Sequence, residues 1–392
     1  MPSLNWIGKD KVLNHHNEVP YRILDKKYEY GDDDAGNMII HGDNLEALKS
    51  LLPQYEGKIK CIYIDPPYNT GSEGWIYNDN VSSPEIKKWL GNVVGGEGDD
   101  LTRHDKWLCM IYPRLRLVQR LLADDGVIFI SIGEDEHATL KLVCDEIFGR
   151  RNYVTDFGRQ MKSGGAKGHY YTPSLDYVLT YAKDIDKLPF FRAVMTQKQI
   201  DVFYKFVEKE GSRKGEIYGE ERLFKASLEA RANQRYYIKC PDGSFAIPPG
   251  KTMPERLTEG LIVTPDKTDK VWKWIYPRYQ RELEAGNIVF KQTNTSGLID
   301  ENGNQSKWNI YNKLWLSEQQ EKGVVPSNLI TEYENRQSAA ELKQIGLNFN
   351  YAKPSKLIEY LLTISRQDKN SIILDSFAGS GTTAHAVLNM NK

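Results

Sequence analysis

Residues 38–158 alternate between short apolar runs and amphipathic stretches, and this alternation limits the fold more than any other feature of the sequence. The run IKCIYID is apolar along nearly its whole length, as expected of a strand that is covered on both faces. The stretches between the runs carry apolar residues at helical spacing. The predicted strands are 38–43, 59–65 and 127–132, and the predicted helices are 44–52, 106–126 and 134–149. Such alternation predicts a parallel sheet with helices on its faces.

The pattern is lost after residue 158 and returns near the end of the chain. Residues 174–184 still predict a core strand, but most of 159–345 is charged, aromatic and interrupted by glycine and proline, with no sustained period. Regular structure resumes in 346–392, with a helix at 353–365, a strand at 371–375 and a helix from residue 382. We therefore predict an α/β fold with a doubly wound, mostly parallel sheet and an inserted, irregular α+β domain.

The composition excludes some classes of protein. No apolar run approaches the ~20 residues needed to cross a bilayer, and the N-terminus lacks the apolar core of a signal peptide. The four cysteines share no Cys-x-x-Cys spacing, so we expect reduced thiols in a cytoplasmic protein and no metal site. The net charge is -1, but residues 151–350 carry an excess of basic side chains. This excess suits a phosphate-rich partner as well as an ordinary solvated surface.

A glycine-rich turn, SFAGSGTT, follows the predicted strand at 371–375. Its small residues allow a ligand to approach the backbone, and the following helix offers N–H groups to an anion. The spacing matches neither Gly-x-Gly-x-x-Gly nor the P-loop. Asp375 can bind an ammonium group, so the turn suits a ligand that bears an amino acid; a tight turn with packing glycines is the alternative. The candidate residues are Asp375, Phe377, Ala378, Gly379, Ser380 and Gly381.

The strand at 59–65 ends in Asp-Pro-Pro-Tyr, where glycine, asparagine or serine would be the ordinary turn residues. The Asp65 carboxylate and the Pro66 carbonyl are two acceptors, which suit the two donors of an NH2 group. Pro66 and Pro67 fix the backbone, so the acceptors are held in place before a ligand binds. Tyr68 offers a ring face to a planar base. The motif predicts a holder for an amine on a flat heterocycle, and a stiff turn is the structural alternative.

The two turns are expected to lie side by side. Ligands bind at the carboxyl edge of a parallel sheet, and both turns follow buried strands. One turn suits a donor that bears an amino acid, and the other suits an acceptor amine. Together they predict methyl transfer from S-adenosyl-L-methionine to an amine.

The motifs at 65–68 and 377–381 resemble the paired signatures of the DNA amino-methyltransferases, and their order resembles the permuted (beta) group. HGDNLEAL, KWLCMIYPRLRL, VIFISIGEDE and YAKPSKLIEYLL are similar to modification (Mod) subunits of type III restriction–modification systems. The resemblance covers about 1–184 and 335–392. It implies a circularly permuted, Rossmann-like core and an adenine-N6 DNA methyltransferase. The implied parts are 1–158 for catalysis, 159–345 for target recognition and 346–392 for the cofactor.

The resemblance also implies roles for single residues and partners. Residues 65–68 would hold and stack a flipped adenine, and the turn at 375–381 would wrap the methionine part of the cofactor. Asp43 would approach the cofactor's adenine, with a helix N-cap as the alternative. Lys353 and Ser355 would form a helix start that closes over the methionine end, again with capping as the alternative. The implied partners are double-stranded DNA, a second copy in a homodimer and a restriction subunit, and no membrane is implied.

The end of the chain departs from the family pattern. A further strand, ending in an acid that holds the ribose hydroxyls, should follow the helix that begins at Thr382, yet the sequence ends at Lys392. We therefore expect a truncated chain or one part of a split gene. Cytosine-N4 methylation and a non-catalytic DNA-binding remnant are the alternative functions. Methylation of a protein glutamine or an RNA would use a similar holder, but the long insertion favours duplex DNA.

Two further stretches are candidates for contact with DNA. Residues 271–281 interleave tryptophan with lysine and arginine, which suits a DNA contact as well as a buried aromatic cluster. Residues 159–171 are basic and rich in glycine, which suits contact with phosphates. The histidines at 15, 16 and 137 have no metal-like spacing with acidic residues, and His385 is expected at the surface.

Overall fold

The computed structural model divides the chain into two compact units. It describes residues 3–31, 36–70, 100–164, 170–349 and 351–392, with the backbone alone for 100–102. The first unit comprises Met1–Ala193 and Val325–Lys392, and the second comprises Val194–Val324. The boundaries predicted at 159 and 345 separate parts of the chain by function, and these assignments stay predictions. Residues 71–99, between the Asp-Pro-Pro-Tyr turn and the next predicted helix, lie outside the described residues.

Helices and strands alternate in the first part of the chain, as the sequence predicted. The described helices are α1 (Lys9–Val12), α2 (His15–Glu18), α3 (Asn44–Tyr55), α4 (Asp100–Leu121), α5 (Glu134–Cys144), α6 (Gln197–Phe203), α7 (Tyr276–Glu284), α8 (Leu316–Lys322), α9 (Asn335–Gln344), α10 (Ser355–Ile364) and α11 (Thr382–Asn391). The described strands are β1 (Ile59–Ile64), β2 (Leu122–Ile132), β3 (Tyr153–Gln160), β4 (Leu175–Ala182), β5 (Phe206–Val207), β6 (Ile217–Arg222), β7 (Ile238–Lys239), β8 (Phe245–Ala246), β9 (Ile288–Gln292), β10 (Trp308–Trp315), β11 (Leu329–Ile330) and β12 (Ile373–Leu374). None of these helices combines the length and the apolar character that a membrane span requires.

The first unit contains a mixed sheet of six strands in the order β11-β3-β4-β2-β1-β12. β12, β1 and β2 run parallel to one another, and β11 runs parallel to β3. β4 is antiparallel to both of its neighbours, β2 and β3. The core strand predicted at 174–184 is therefore confirmed, and the pairings of this strand, β4, are the antiparallel ones in the sheet.

β1 is buried because both of its faces are covered. Cys61, Ile62 and Ile64 have no exposed surface, and Ile128 and Ile130 of the adjacent β2 are equally buried. Burying one aliphatic side chain of this size contributes about 1.5–3 kcal/mol. The apolar runs at 59–65 and 127–132 thus form central strands, as predicted, and the strand that leads into the Asp-Pro-Pro-Tyr turn is firmly anchored.

The strand predicted at 38–43 is wrong. The segment belongs to no strand of the described sheets, and the Met38 and Ile39 side chains are 56% and 75% exposed. An apolar run becomes a strand only where another strand accepts its backbone hydrogen bonds, and no described neighbour does so here. The segment ends at Asp43, whose carboxylate accepts hydrogen bonds from the N–H groups of Leu45 (2.9 Å) and Glu46 (3.1 Å) and caps α3.

The second unit has a core of its own. Four of its strands form an antiparallel sheet in the order β5-β6-β10-β9, and β7 pairs with β8. Tyr236, Trp272 and Tyr279 have no exposed surface, and the Trp272 indole donates a hydrogen bond to the Tyr236 carbonyl at 2.8 Å. An aromatic cluster therefore holds this unit together.

Candidate active site

The two candidate turns leave the same edge of the sheet. In the parallel register between β1 and β12, Ile62 lies opposite Leu374. Asp375 follows Leu374 directly, and Asp65 follows the end of β1 at Ile64. Because parallel strands end at a common edge, the turns after β1 and β12 are neighbours, as the sequence predicted.

The Asp65 carboxylate binds the ammonium group of Lys353. Both carboxylate oxygens lie 2.7 Å from Lys353 Nζ, and the Lys353 side chain is only 8% exposed. Burial raises the pKa of Asp65, and the Lys353 charge opposes this rise. The sequence placed Lys353 at the cofactor, whereas the structure places its side chain at the Asp-Pro-Pro-Tyr turn.

The Tyr68 ring is fixed by contacts on several sides. Its hydroxyl donates a hydrogen bond to Asp176 Oδ2 at 3.0 Å, and the Lys353 ammonium lies 4.7 Å from the ring centroid. Burial keeps the pKa of the Tyr68 phenol well above its usual range, so the hydroxyl remains a donor. Gly133, just before α5, leaves room for the ring, because a Cβ atom there would lie 2.8 Å from Tyr68 Cδ2.

A buried ion pair holds Asp176, the partner of Tyr68. Arg159 donates to both Asp176 oxygens, at 2.7 Å and 2.6 Å, and neither side chain is more than 3% exposed. The Arg159 guanidinium also donates to the Tyr333 carbonyl and to Asn335 Oδ1, both at 2.9 Å. Within the stretch 159–171, which was predicted to contact phosphates, Arg159 does not do so, because its guanidinium makes four hydrogen bonds inside the protein. Residues 165–169 of that stretch lie outside the described residues.

The backbone of the Asp-Pro-Pro-Tyr turn is held by hydrogen bonds with residues that the sequence analysis did not identify. Trp107 of α4 donates its indole N–H to the Pro67 carbonyl at 2.7 Å. Asn69 has a φ of 57° and donates to Glu136 Oε1 at 2.5 Å, and His104 Nδ1 contacts the same oxygen. Burial raises the pKa of Glu136, which has no exposed surface. The family resemblance could have identified two of these residues, since Trp107 and Glu136 lie in stretches that are similar to Mod subunits.

The Asp375 carboxylate organises the second turn. Oδ1 accepts the Phe377 N–H at 2.9 Å, and Oδ2 accepts the Thr383 hydroxyl at 2.6 Å. Burial raises the pKa of Asp375 to about 6, and the charge of Asp65 adds to the effect. Each oxygen keeps a further lone pair, so the carboxylate can stabilise the turn and still accept a hydrogen bond from a ligand.

The rest of the turn leads into α11. Phe377 is only 5% exposed, and its ring packs into the main core. Gly379 and Gly381 have φ values of 53° and 76°, which favour glycine, and a Cβ atom at Gly381 would meet no atom within 4 Å. Ala378 is exposed, and Ser380 is hydrogen-bonded to Thr382 at 2.9 Å. The glycine turn is therefore open on the side where α11 begins.

Asp43 and Ser355 both lie at the start of a helix and make hydrogen bonds there. Asp43 caps α3, and its neighbour Asn44 donates to the Ser376 carbonyl at 2.9 Å, which brings the start of α3 to the glycine turn. Ser355 is the first residue of α10, 2% exposed, and its N–H donates to Glu341 Oε2 at 3.0 Å. Pro354 occupies the N-cap position, so Ser355 does not cap the helix.

Other candidate residues from the sequence make contacts within their own units. In 271–281, Trp272 and Trp274 are core residues of the second unit, so the aromatic cluster accounts for this stretch. Arg278 lies 4.5 Å from the Trp274 ring centroid. His137 contacts Asp156 at 3.1 Å and stacks on Tyr177.

Fold and site together define an α/β protein with two candidate ligand-binding turns at the carboxyl edge of adjacent parallel strands. The model of the family described as DNA methylase matches residues 59–392. The chain therefore belongs to the DNA methylase family.

Several curated proteins and solved structures resemble the chain. The type III restriction-modification enzyme EcoPI Mod subunit of Escherichia phage P1 is 31% identical over 431 residues, which cover 100% of this chain and 61% of that protein. The EcoP15I Mod subunit of Escherichia coli is 31% identical over 416 residues, which cover 100% and 62%. The chain thus spans about three fifths of their length. The structure of the PvuII DNA methyltransferase (cytosine-N4-specific) covers 88% of this chain and 76% of its own, at 11% identity and a TM-score of 0.38.

Proposed function

We propose that the chain is the modification subunit of a type III restriction–modification system. It would transfer a methyl group from S-adenosyl-L-methionine to the N6 amine of a flipped adenine in duplex DNA. The observation that carries this proposal is the parallel register of β1 and β12, which brings Asp65 and Asp375 to one edge of the sheet. A turn suited to an amine and a turn suited to an amino acid therefore open side by side.

The proposed fold is a circularly permuted, doubly wound Rossmann-like core. The strand before the acceptor turn comes early in the sequence and the strand before the donor turn comes late, yet they are neighbours in the sheet. The unit Val194–Val324 interrupts the first unit in sequence and has its own aromatic core. This arrangement suits a target-recognition domain inserted within 159–345, because reading a DNA sequence requires a surface separate from the catalytic pocket.

The residues of the glycine turn fit S-adenosyl-L-methionine. The Asp375 carboxylate can accept the ammonium group, and the start of α11 favours the carboxylate. The open space at Gly381 allows the ligand to reach the backbone. Asn44, bound to the Ser376 carbonyl, places the start of α3 where the nucleoside part would lie. When bound, the cofactor supplies an electrophilic methyl group.

The residues of the Asp-Pro-Pro-Tyr turn would position the acceptor amine. A target adenine must leave the duplex, because its amine is otherwise paired and stacked. Asp65 and the Pro66 carbonyl would accept its two N–H bonds while the base stacks on Tyr68. The nitrogen lone pair is then free to form the N–C bond as the C–S bond breaks, and the nitrogen releases one proton to solvent. Asp65 acts as an acceptor and orienting group, and positioning supplies most of the rate.

The partners follow from the same proposal. The relatives named above are subunits of type III restriction-modification enzymes. We propose double-stranded DNA as the substrate and a restriction subunit as a partner in the assembled enzyme. A homodimer is proposed as well, as the resemblance to Mod subunits implies.

The decisive experiment measures transfer of a labelled methyl group from S-adenosyl-L-methionine to a DNA library, followed by analysis of the modified base and of its flanking sequence. We expect N6-methyladenine in one sequence context. N4-methylcytosine would correct the assignment of the base. No modified base, together with no heat on titration with the cofactor, would favour a DNA-binding remnant.

Two variants separate the roles of the turns. Asp65→Ala should abolish turnover and leave the cofactor Kd within a few-fold, because Asp65 holds the acceptor. Asp125→Ala, which removes an exposed carboxylate paired with Lys60, serves as the control and should retain activity. Equal loss of turnover and cofactor affinity in Asp65→Ala would contradict this division of roles.

A further inference from the structure

The Asp65 carboxylate lies among groups that disfavour its negative charge. Burial is the largest influence that raises the pKa of Asp65, and the Asp176 charge adds to it. Asp375, at the end of the adjacent strand, is close enough for Asp65 to raise its pKa in turn. Burial and the charge of Asp65 also raise the pKa of the Tyr63 and Tyr68 phenols, so these neighbours stay uncharged. Loss of a counterion would therefore raise the pKa of Asp65 further.

Lys353 is the cation in direct contact with Asp65 in the described part of the chain. Its ammonium donates to both carboxylate oxygens at 2.7 Å. Arg159 also lowers the pKa of Asp65, but its guanidinium is bound to Asp176 and acts from further away. Lys353 is held in place because it directly precedes Pro354, the N-cap of α10, and the next residue, Ser355, is anchored on Glu341.

The protonation state of Asp65 decides whether an amine in this pocket can react. An ionised carboxylate accepts N–H bonds and leaves the amine lone pair free. A protonated carboxyl group instead donates a hydrogen bond and can engage the lone pair that must attack the methyl group. A carboxylate has about four lone-pair sites, so Asp65 can bind Lys353 and still accept one hydrogen bond from a target amine.

We propose that Lys353 is a positioning residue that holds Asp65 as an ionised, correctly oriented acceptor for the target amine. This inference rests on the proposed function, because the amine is the one that the Asp-Pro-Pro-Tyr turn would bind. It changes the predicted role of Lys353 from holding the cofactor to preparing the acceptor site. Lys353 acts through Asp65 and does not itself take part in bond formation.

The charge on Asp65 can be measured without any catalytic assay. Protein labelled with 13C at the aspartate carboxyl carbon is titrated with acid, and the Asp65 signal is identified by its absence in Asp65→Asn. We expect Lys353→Met and Lys353→Gln to raise the Asp65 midpoint by about one to three pH units, the range for loss of an opposite charge in contact. Lys356→Met is the matched control, since Lys356 lies three residues further along the chain in α10, is 60% exposed and pairs with Glu359. An unchanged midpoint in Lys353→Met would overturn the proposal.

The same variants are compared in the pH dependence of kcat. Since the ionised form is the active one, a higher Asp65 pKa moves the acid limb of the profile to higher pH. We expect kcat of Lys353→Met to fall about tenfold or more on the acid limb and the cofactor Kd to stay within a few-fold. Lys353→Arg should restore part of the rate, because it restores the charge. Lys356→Met should follow the parent protein.

The outcomes distinguish this inference from the proposed function. If the parent protein methylates no DNA, the proposed function fails, while the carboxyl titration still reports on Lys353. Lys353→Met could instead keep the parent pH profile and bind the target base more tightly. In that case the Lys353 ammonium occupies the site on Asp65 that the base needs and is displaced by it, and the positioning role is wrong. If the variant instead loses cofactor affinity with an unchanged profile, Lys353 serves the cofactor, which also overturns the proposal.

Discussion

Asp65 and Asp375 follow adjacent parallel strands, and the charge of Asp65 raises the pKa of Asp375. Two carboxyl groups therefore share one edge of the sheet. Their partners differ: Asp65 is bound to a lysine ammonium, whereas Asp375 accepts hydrogen bonds from its own turn. In the proposed reaction, Asp65 would therefore serve the acceptor amine and Asp375 would serve the cofactor.

Cofactor affinity should depend on the ionisation of Asp375. Burial raises its pKa to about 6, so the carboxylate that would bind an ammonium group is present above pH 6 and is lost below it. We expect the Kd for S-adenosyl-L-methionine to be lowest near pH 7 and to rise about tenfold per pH unit well below pH 6. Thr383→Val removes a hydrogen bond to the ionised form and should move the midpoint to higher pH. Titration calorimetry measures both, and a flat profile would contradict a role for Asp375 in cofactor binding.

Gly133→Ala should displace the Tyr68 ring. The added Cβ would lie 2.8 Å from Tyr68 Cδ2, and the backbone of Gly133 (φ -82°, ψ 173°) is acceptable to alanine, so the ring contact is the main disturbance. We expect kcat/KM for DNA to fall about ten- to hundredfold with an unchanged cofactor Kd. In the control, Gly158→Ala, the new Cβ meets only an ordinary contact at 4.0 Å. Equal losses in the two variants would refute the steric argument.

Arg159→Met should destabilise the first unit strongly. The change leaves the buried Asp176 carboxylate without its bidentate partner, and breaking a buried pair in this way costs about 3–5 kcal/mol. Urea unfolding at pH 7 measures the change. Arg151→Met, at an exposed ion pair, should cost less than about 1 kcal/mol. The double variant Arg159→Met with Asp176→Leu should regain stability, because no buried charge remains unpaired. A double variant no more stable than Arg159→Met would contradict the argument that the unpaired Asp176 charge causes the loss.

Trp107→Phe should loosen the acceptor turn. It removes the indole N–H that binds the Pro67 carbonyl at 2.7 Å and leaves a buried acceptor unpaired, which costs about 1–3 kcal/mol. We expect a lower kcat with an unchanged cofactor Kd. Trp274→Phe is the size-matched control for stability, because in the described structure the Trp274 indole N–H has no hydrogen-bond partner. A loss of stability no greater than in the control would show that the hydrogen bond to Pro67 is unimportant.

The sequence predicted the elements that local patterns encode. The apolar runs at 59–65, 127–132 and 174–184 form strands, and the helix predicted at 353–365 is α10 (Ser355–Ile364). Each of these strands finds a neighbour in the sheet. The run at 38–43 has similar composition but no strand beside it, so its backbone does not join the sheet. Apolar composition indicates that a segment can be a strand, and pairing decides whether it becomes one.

The sequence by itself determined the two turns, because proline, glycine and a strand-ending aspartate restrict the backbone locally whatever surrounds them. Only the tertiary structure decided which side chains meet there. Lys353 and Asp65 are 288 positions apart, and Trp107 lies 40 positions from the Pro67 carbonyl that it holds. Such contacts depend on how strands order themselves in a sheet and how helices pack on it. That order is set by the burial of the whole core, so no local pattern around Lys353 could assign it to the acceptor pocket.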